Sequence, residues 1–223
     1  MAMLKANLVC IMRVKDEEAK IIRCLESMPF VDHFVVVDNG SSDRTLAYVS
    51  RYPSIIFRTE GLDAGLDAAR DLNLAYQEAL ICDATHVLWM DADEEWEARA
   101  AEELPKLLAQ DVASWTFRIF PFVLSKTHYR TDGPWAQFTE RGQPRLFQAQ
   151  AGVFWASGRK AHAGLPRGLR GLVGESDLRI KHWTIETPEE AERKIAFYET
   201  TDGKDYGHLR DGPEAKFVEW REA

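Results

Sequence analysis

What this 223-residue chain has little of narrows its class first. It carries three cysteines, Cys10, Cys24 and Cys82, odd in number and scattered within apolar segments. That argues against a disulfide or zinc framework and for reduced thiols in the core. No apolar run approaches the roughly 20 residues that span a bilayer, so no transmembrane segment is expected. The stretch from Leu8 to Met12 is too short, and too soon followed by charge, to serve as a signal peptide. A cytoplasmic location is expected. A positive balance is also lacking, because the net charge of −8 disfavours loose binding of nucleic acid by the whole chain. What is present is apolar: 45% hydrophobic and 11% aromatic residues suffice for one sizeable core or two small ones, which excludes disorder as a general state.

The charge is unevenly spread. Between Arg141 and Lys181 stand eight basic residues, among them Arg145, Arg159, Lys160 and Arg167, against only Glu175 and Asp177. The segment is net +6 and the remainder −14. Such a segment reads either as a solvated loop surface or as a cradle for phosphates or an anionic acceptor.

The first half alternates strand and helix patterns, the signature of an open, mostly parallel sheet in an α/β protein. Strands are expected at Leu8 to Val14, Phe34 to Val37, Ile55 to Arg58 and His86 to Met90. Helices are expected from Asp16 to Met28, from Arg44 to Arg51 and from Asp67 to Ile81, the last with Leu66, Ala69, Leu72, Tyr76 and Leu80 inward. The most informative stretch is His86-Val-Leu-Trp-Met90, which runs into Asp91-Ala-Asp93-Glu94-Glu95. An apolar strand ending in carboxylates lies where open parallel sheets bind ligands. On an extended chain Asp91 and Asp93 project to one side and repel unless a cation lies between them, and Mg²⁺ or Mn²⁺ suits such oxygen ligands. The competing reading is the acidic first turn of a helix running through Trp96 to Leu108. A second acidic loop, Asp38-Asn39-Gly40-Ser41-Ser42-Asp43, closes the second strand and would lie along the same sheet edge. Arg70, near the start of the long helix, is placed to reach phosphates.

Four segments together resemble glycosyltransferase family 2: Val-Lys-Asp-Glu-Glu at 14 to 18, Arg-Cys-Leu-Glu-Ser at 23 to 27, Val-Val-Val-Asp-Asn-Gly-Ser-Ser-Asp-Arg-Thr at 35 to 45 and Trp-Met-Asp-Ala-Asp-Glu at 89 to 94. The resemblance implies a GT-A fold in a single domain, with about residues 1–110 binding the nucleotide sugar and about 111–223 the acceptor. It implies inverting, metal-dependent transfer from a nucleotide-diphosphate sugar, UDP-linked, to a hydroxyl. Glu17 and Asp38 are then expected at the base and ribose, Asp43 in support of that loop, and Arg70 and Asp91 at the donor. Asp91 and Asp93 are expected to hold Mn²⁺ or Mg²⁺. Relatives often read Ala-Arg-Asn where this chain has Ala69-Arg70-Asp71, so Asp71 departs from the pattern.

In the second half, Ser114 to Val123 reads as a strand and Pro144-Arg145-Leu146-Phe147 resembles the strand that follows the acceptor loop in relatives. The resemblance implies a general base shortly before that strand, Glu140 first and Asp132 as the fallback. Tyr129 to Gln143 is expected to be a functional loop. His182, ahead of the helix start Thr187-Pro188-Glu189-Glu190, resembles the histidine that completes the metal shell, whereas His162 lacks the acidic neighbour usual in relatives. The helix itself is expected from Pro188 to Tyr198. Saccharide, lipid carrier, protein and modified nucleobase all stay open as acceptors, with the basic segment favouring an anionic one. Two other readings stand beside this one: an aspartyl-nucleophile phosphohydrolase, disfavoured by Glu95 after the second Asp, and a non-catalytic nucleotide-sugar-binding module. The end at 219–223 shows no obvious terminal element, which leaves room for a following domain.

Overall fold

Alternation of side chains across two covered faces organises the first half of the molecule. The computed structural model describes residues 6–59, 67–156, 162–203, 207–209 and 215–222. Strand β1 (Leu8–Val14) is followed by α1 (Ile21–Glu26), β2 (His33–Asp38), α2 (Thr45–Val49), β3 (Ser54–Arg58), α3 (Ala68–Ile81) and β4 (His86–Trp89). The four strands lie parallel in the spatial order β3-β2-β1-β4. Leu8, Cys10, Met12, Val36 and Leu88 point to one face and join Ile21, Cys24 and Leu25 of α1 in one apolar cluster. Val9, Ile11, Val35, Val37 and Val87 point to the other and meet Ala69, Leu72, Ala75 and Tyr76 of α3. Burial on both faces is why these strands read as continuous apolar runs. Leu66, expected on the inner face of α3, lies outside the described residues, and Asp67 caps the helix by accepting from the Arg70 amide at 3.0 Å.

The chain continues as β5 (Glu94–Trp96), α4 (Ala100–Leu108), β6 (Ser114–Val123), β7 (His128–Arg130), a 3₁₀ turn at Gly133–Trp135, α5 (Ala136–Glu140), β8 (Gln143–Gln148), β9 (Val173–Ile185), α6 (Pro188–Asp202) and β10 (Phe217–Glu219). Here the sheet becomes mixed. β8 joins β4 antiparallel, β6 follows antiparallel, β9 lies parallel to β6 and β5 closes the edge antiparallel to β9, completing eight strands.

Four expectations are corrected by these elements. The helix expected from Asp16 forms only from Ile21, because Asp16 takes a left-handed backbone (φ 52°) and its carboxylate accepts from the Ser42 amide at 2.7 Å. Glu94 to Trp96 is strand, so the acidic run does not begin a helix, which starts at Ala100. The loop expected between Tyr129 and Gln143 contains the 3₁₀ turn and α5. A terminal element exists in β10, which pairs antiparallel with β7 while Trp220 packs on Phe120 and Phe122.

Candidate functional site

At the carboxyl ends of β1 and β2 two loops are laced together. The Asp16 amide donates to Ser41 Oγ, the Glu17 amide to Thr45 Oγ1 and the Glu18 amide to Asp43 Oδ2, at 2.8 to 3.0 Å. Asp38 is fully buried. Its Oδ1 accepts from the Ser41 amide at 3.0 Å and its Oδ2 faces Arg58 Nε at 3.2 Å, so the carboxylate shapes the turn that follows β2. Asp43 suffers some desolvation, yet hydrogen bonds from Thr45 and the Glu18 amide outweigh it and hold its carboxyl below the usual range.

Beside these loops, Asp91 to Glu94 forms a tight turn, closed by the Glu94 amide donating to the Asp91 carbonyl at 3.0 Å. Residues 91–93 turn instead of extending, and the two carboxylates take different partners. Asp91 is 47% exposed and faces Arg145 Nη2 at 3.6 Å. Asp93 is 12% exposed, with Oδ1 3.3 Å from His182 Nε2 and Oδ2 3.2 Å from Lys194 Nζ. Pairing of β5 with β9 sets this arrangement: Glu94 stands opposite His182, and the Trp183 amide donates to the Asp93 carbonyl at 2.8 Å. Asp93 is therefore compensated, and the repulsion expected between bare carboxylates is not its situation. Burial opposes ionisation of Asp93, but His182 and Lys194 prevail and hold its carboxyl well below the ordinary range. Burial likewise opposes the His182 imidazolium, and Asp93 overcomes it, raising the His182 pKa.

Two further pairs frame the turn. Glu94 is buried against Arg145, whose guanidinium lies 4.4 Å over the Trp89 ring; burial pushes Glu94 up to about 7 despite that partner. On the other side Lys194 Nζ also approaches Glu190 at 3.6 Å, and Glu190 bonds Lys20. Glu17 belongs to the same neighbourhood, since burial and then the Asp93 charge push it up to about 7. Lys194 and Lys20 carried no expectation from sequence, and Glu190 was expected only as part of the cap that starts α6. The only local hint was the helical spacing of Glu190 and Lys194.

At the start of α3, Arg70 Nε donates to Asp71 Oδ1 at 2.9 Å, and buried Asp71 also takes Asn39 Nδ2 at 2.8 Å and Arg13 Nε at 3.3 Å. The departure from Ala-Arg-Asn is thus a buried carboxylate that ties Arg70 to β1 and to the loop after β2. Arg70 lines a cavity of about 360 Å³ with Asn73, Phe154 and Trp155, whose lining includes neither Asp91 nor Asp93.

The two expected base positions differ. Glu140 ends α5, exposed, and no ion pair engages it among the described residues; Arg145, a neighbour in sequence, is taken by Glu94. Asp132 accepts both arms of Arg130, at 2.9 and 3.0 Å, and the Lys216 amide at 2.9 Å. Those bonds hold its carboxyl down at about 2. A carboxyl depressed in the folded state stabilises above its ordinary value near 3.8 and loses that contribution as pH falls toward about 2. Asp132→Asn is accordingly expected to be less stable than the parent at pH 6, with the difference closing between about pH 4 and pH 2; denaturant melts across that range check it. His162 is exposed and sits with its ring centroid 4.8 Å from that of Tyr198 on α6. Residues 157–161, which hold Arg159 and Lys160 of the basic segment, lie outside the described residues.

A divalent cation sets a geometric requirement on the donors around Asp93. Neighbouring ligands on an octahedral ion with bonds of 2.0 to 2.1 Å lie roughly 3 Å apart. Asp93 Oδ1 and His182 Nε2, 3.3 Å apart, match two such positions and leave the others to phosphate oxygens and water. No cluster of three His, Cys, Asp or Glu side chains able to hold a metal occurs among the described residues, so Asp91 is not part of a preassembled triad.

Comparison with known proteins adds three findings. The model of glycosyl transferase family 2 matches residues 9–160. The lipopolysaccharide core biosynthesis glycosyltransferase LpsC of Rhizobium meliloti (strain 1021) is 26% identical over 189 residues, covering 78% of this chain; the chain spans 62% of that relative's length. Crystal structures of S. aureus TarS, alone and in complex with UDP-GlcNAc, superpose with TM-scores of 0.55 and 0.54 at 12% and 11% identity, covering 91% of this chain and 68% and 69% of theirs. At that identity the likeness is one of fold.

Proposed function

Because the chain belongs to glycosyl transferase family 2, we propose that it transfers a sugar from a nucleotide-diphosphate donor, UDP-linked, to an acceptor hydroxyl with inversion. The observation that carries this reading is Asp93 held between His182 and Lys194 at the mouth of the parallel strands. Asp93 and His182 would hold Mn²⁺ or Mg²⁺, which when bound supplies positive charge against the departing diphosphate. Glu17, the loop after β2 shaped by Asp38 and Asp43, and Arg70 tied by Asp71 surround the nucleoside and phosphates. Asp91, half-exposed and beside Arg145, faces the donor. In the reaction the acceptor oxygen bonds to the anomeric carbon as the bond from that carbon to the phosphate oxygen breaks, and Glu140 takes the acceptor proton. Attack from the face opposite the leaving group inverts the centre. Asp132, locked by Arg130, is the poorer base.

The TarS complex supports a uridine diphosphate donor, and the LpsC relative ranks a saccharide first among the acceptor classes. We also read residues 1–223 as one GT-A domain, supported by a single sheet that runs through both halves. A cytoplasmic setting is supported by three free cysteines. No helix among the described residues is long and apolar enough to cross a membrane. The family assignment takes the place of the phosphohydrolase alternative, while a binding module without transfer is an outcome that the assays decide. Thermal-shift screening against nucleotide sugars, with and without Mn²⁺, tests the reading. A ligand at about 100 times its Kd stabilises by about 2.7 kcal/mol, so UDP-sugars with Mn²⁺ should raise Tm by several degrees. No shift with any nucleotide sugar would reject it.

A further inference from the structure

Asp93 carries an internal counter-ion. Lys194 Nζ lies 3.2 Å from Asp93 Oδ2 and 2.8 Å from the Thr184 carbonyl, and both side chains are nearly buried, at 13% and 12% exposure. The lysine is held there by its helix. Thr187 caps α6 by accepting from the Glu190 amide, and Ala191 and Ile195, flanking Lys194, join Ile185 of β9 in an apolar cluster. Glu190, at 3.6 Å, is shared with Lys20, so it compensates Lys194 only in part. The charge on Asp93 is thus answered by the protein before any ligand arrives, on the oxygen opposite the one that faces His182.

We propose that Lys194 is a positioning residue that makes cation uptake depend on the diphosphate: it occupies Asp93 in the free protein, resists a bare divalent ion, and yields to an ion accompanied by phosphate oxygens. This rests on the reading of Asp93 and His182 as cation ligands. A divalent ion at that pair would sit a few ångströms from a desolvated ammonium, and repulsion is strong where the effective dielectric is low. Diphosphate oxygens reverse the balance, since they accept from Lys194 Nζ and complete the ion's shell. Cation and nucleotide should therefore bind with positive coupling, and Lys194 should set its size.

The test is Mn²⁺ binding followed by the electron paramagnetic resonance signal of free Mn²⁺, with and without UDP, for the parent, Lys194→Met, Lys194→Gln and Lys194→Arg. Without UDP, Lys194→Met is expected to bind Mn²⁺ at least about tenfold more tightly than the parent, and Lys194→Arg to match the parent. Added UDP should tighten Mn²⁺ binding in the parent by at least about tenfold more than in Lys194→Met. Lys194→Gln, which keeps a donor for the Thr184 carbonyl, carries the same expectation should the methionine variant fail to fold. Equal Mn²⁺ affinity of parent and neutral variants without UDP, alongside UDP-dependent binding that Asp93→Asn abolishes, would overturn the role of Lys194 and leave the cation site standing. Absence of Mn²⁺ binding by every form, even with UDP, would overturn both.

Discussion

Asp93→Asn lowers sugar transfer by at least about 10³-fold, the counterpart of roughly 4 kcal/mol of lost charge stabilisation at the leaving diphosphate. The variant also loses stability, for a reason the sequence does not show. Read as one of two converging carboxylates, Asp93 would repel its neighbour, and neutralising it would leave the fold untouched. In the structure it is the anion between His182 and Lys194, and its removal leaves a nearly buried ammonium facing Glu190, already shared with Lys20, and Glu17, whose charged form burial disfavours. Breaking a buried pair by deleting one partner costs about 3 kcal/mol. The double variant Asp93→Asn with Lys194→Met removes both charges and is expected to recover much of that stability while transfer stays lost. Urea denaturation beside a transfer assay separates the two effects. If the single variant keeps parental turnover, Asp93 has no part in the reaction.

Glu140→Gln is expected to lower turnover by about 10²- to 10⁴-fold with donor affinity nearly unchanged, because size and polarity are kept and only basicity goes. The placement of α5 supports this. Trp135, which leads into the helix, packs with Ile185 of β9 and with Ala191 and Ile195 of α6, and Phe138 joins the same cluster, so Glu140 is carried by an element seated against the helix that bears Lys194. The competing explanation, a surface ion pair with Arg141 or Arg145, is worth at most about 1 kcal/mol, and no such pair engages Glu140 among the described residues. Asp132→Asn serves as the comparison: it should act on stability far more than on rate. Parental turnover in both variants would place the base elsewhere.

Local features were legible where one chemical period dominates. Strand β1 reads at its full length because both its faces are apolar, and α3 reads correctly because Asp67 caps it and Ala69, Leu72 and Tyr76 recur on one side. Capping also revealed the start of α6, whose Thr187 and Pro188 hold the expected places, although it runs to Asp202 instead of ending at Tyr198. What escaped was non-local. Asp93 and Lys194 are 101 residues apart, and Arg145 reaches Glu94 across 51. Neither lysine nor arginine advertises its partner in its own neighbourhood. β5 escaped for a different reason: three residues with two glutamates look like a helix start, and only pairing with β9 makes them strand. That Asp91 and Asp93 take different partners was not legible either, because period-two reasoning holds on a strand, and the chain turns there.

Calorimetric titration of UDP into the parent protein, once with Mn²⁺ and once with excess chelator, tests the central claim most directly. Cation-assisted diphosphate binding at Asp93 and His182 predicts saturable binding with Mn²⁺, weakened at least about tenfold by the chelator and similarly by His182→Ala, within the range typical of disturbed metal shells. UDP binding of equal strength in chelator and Mn²⁺, unaltered in His182→Ala, would contradict it.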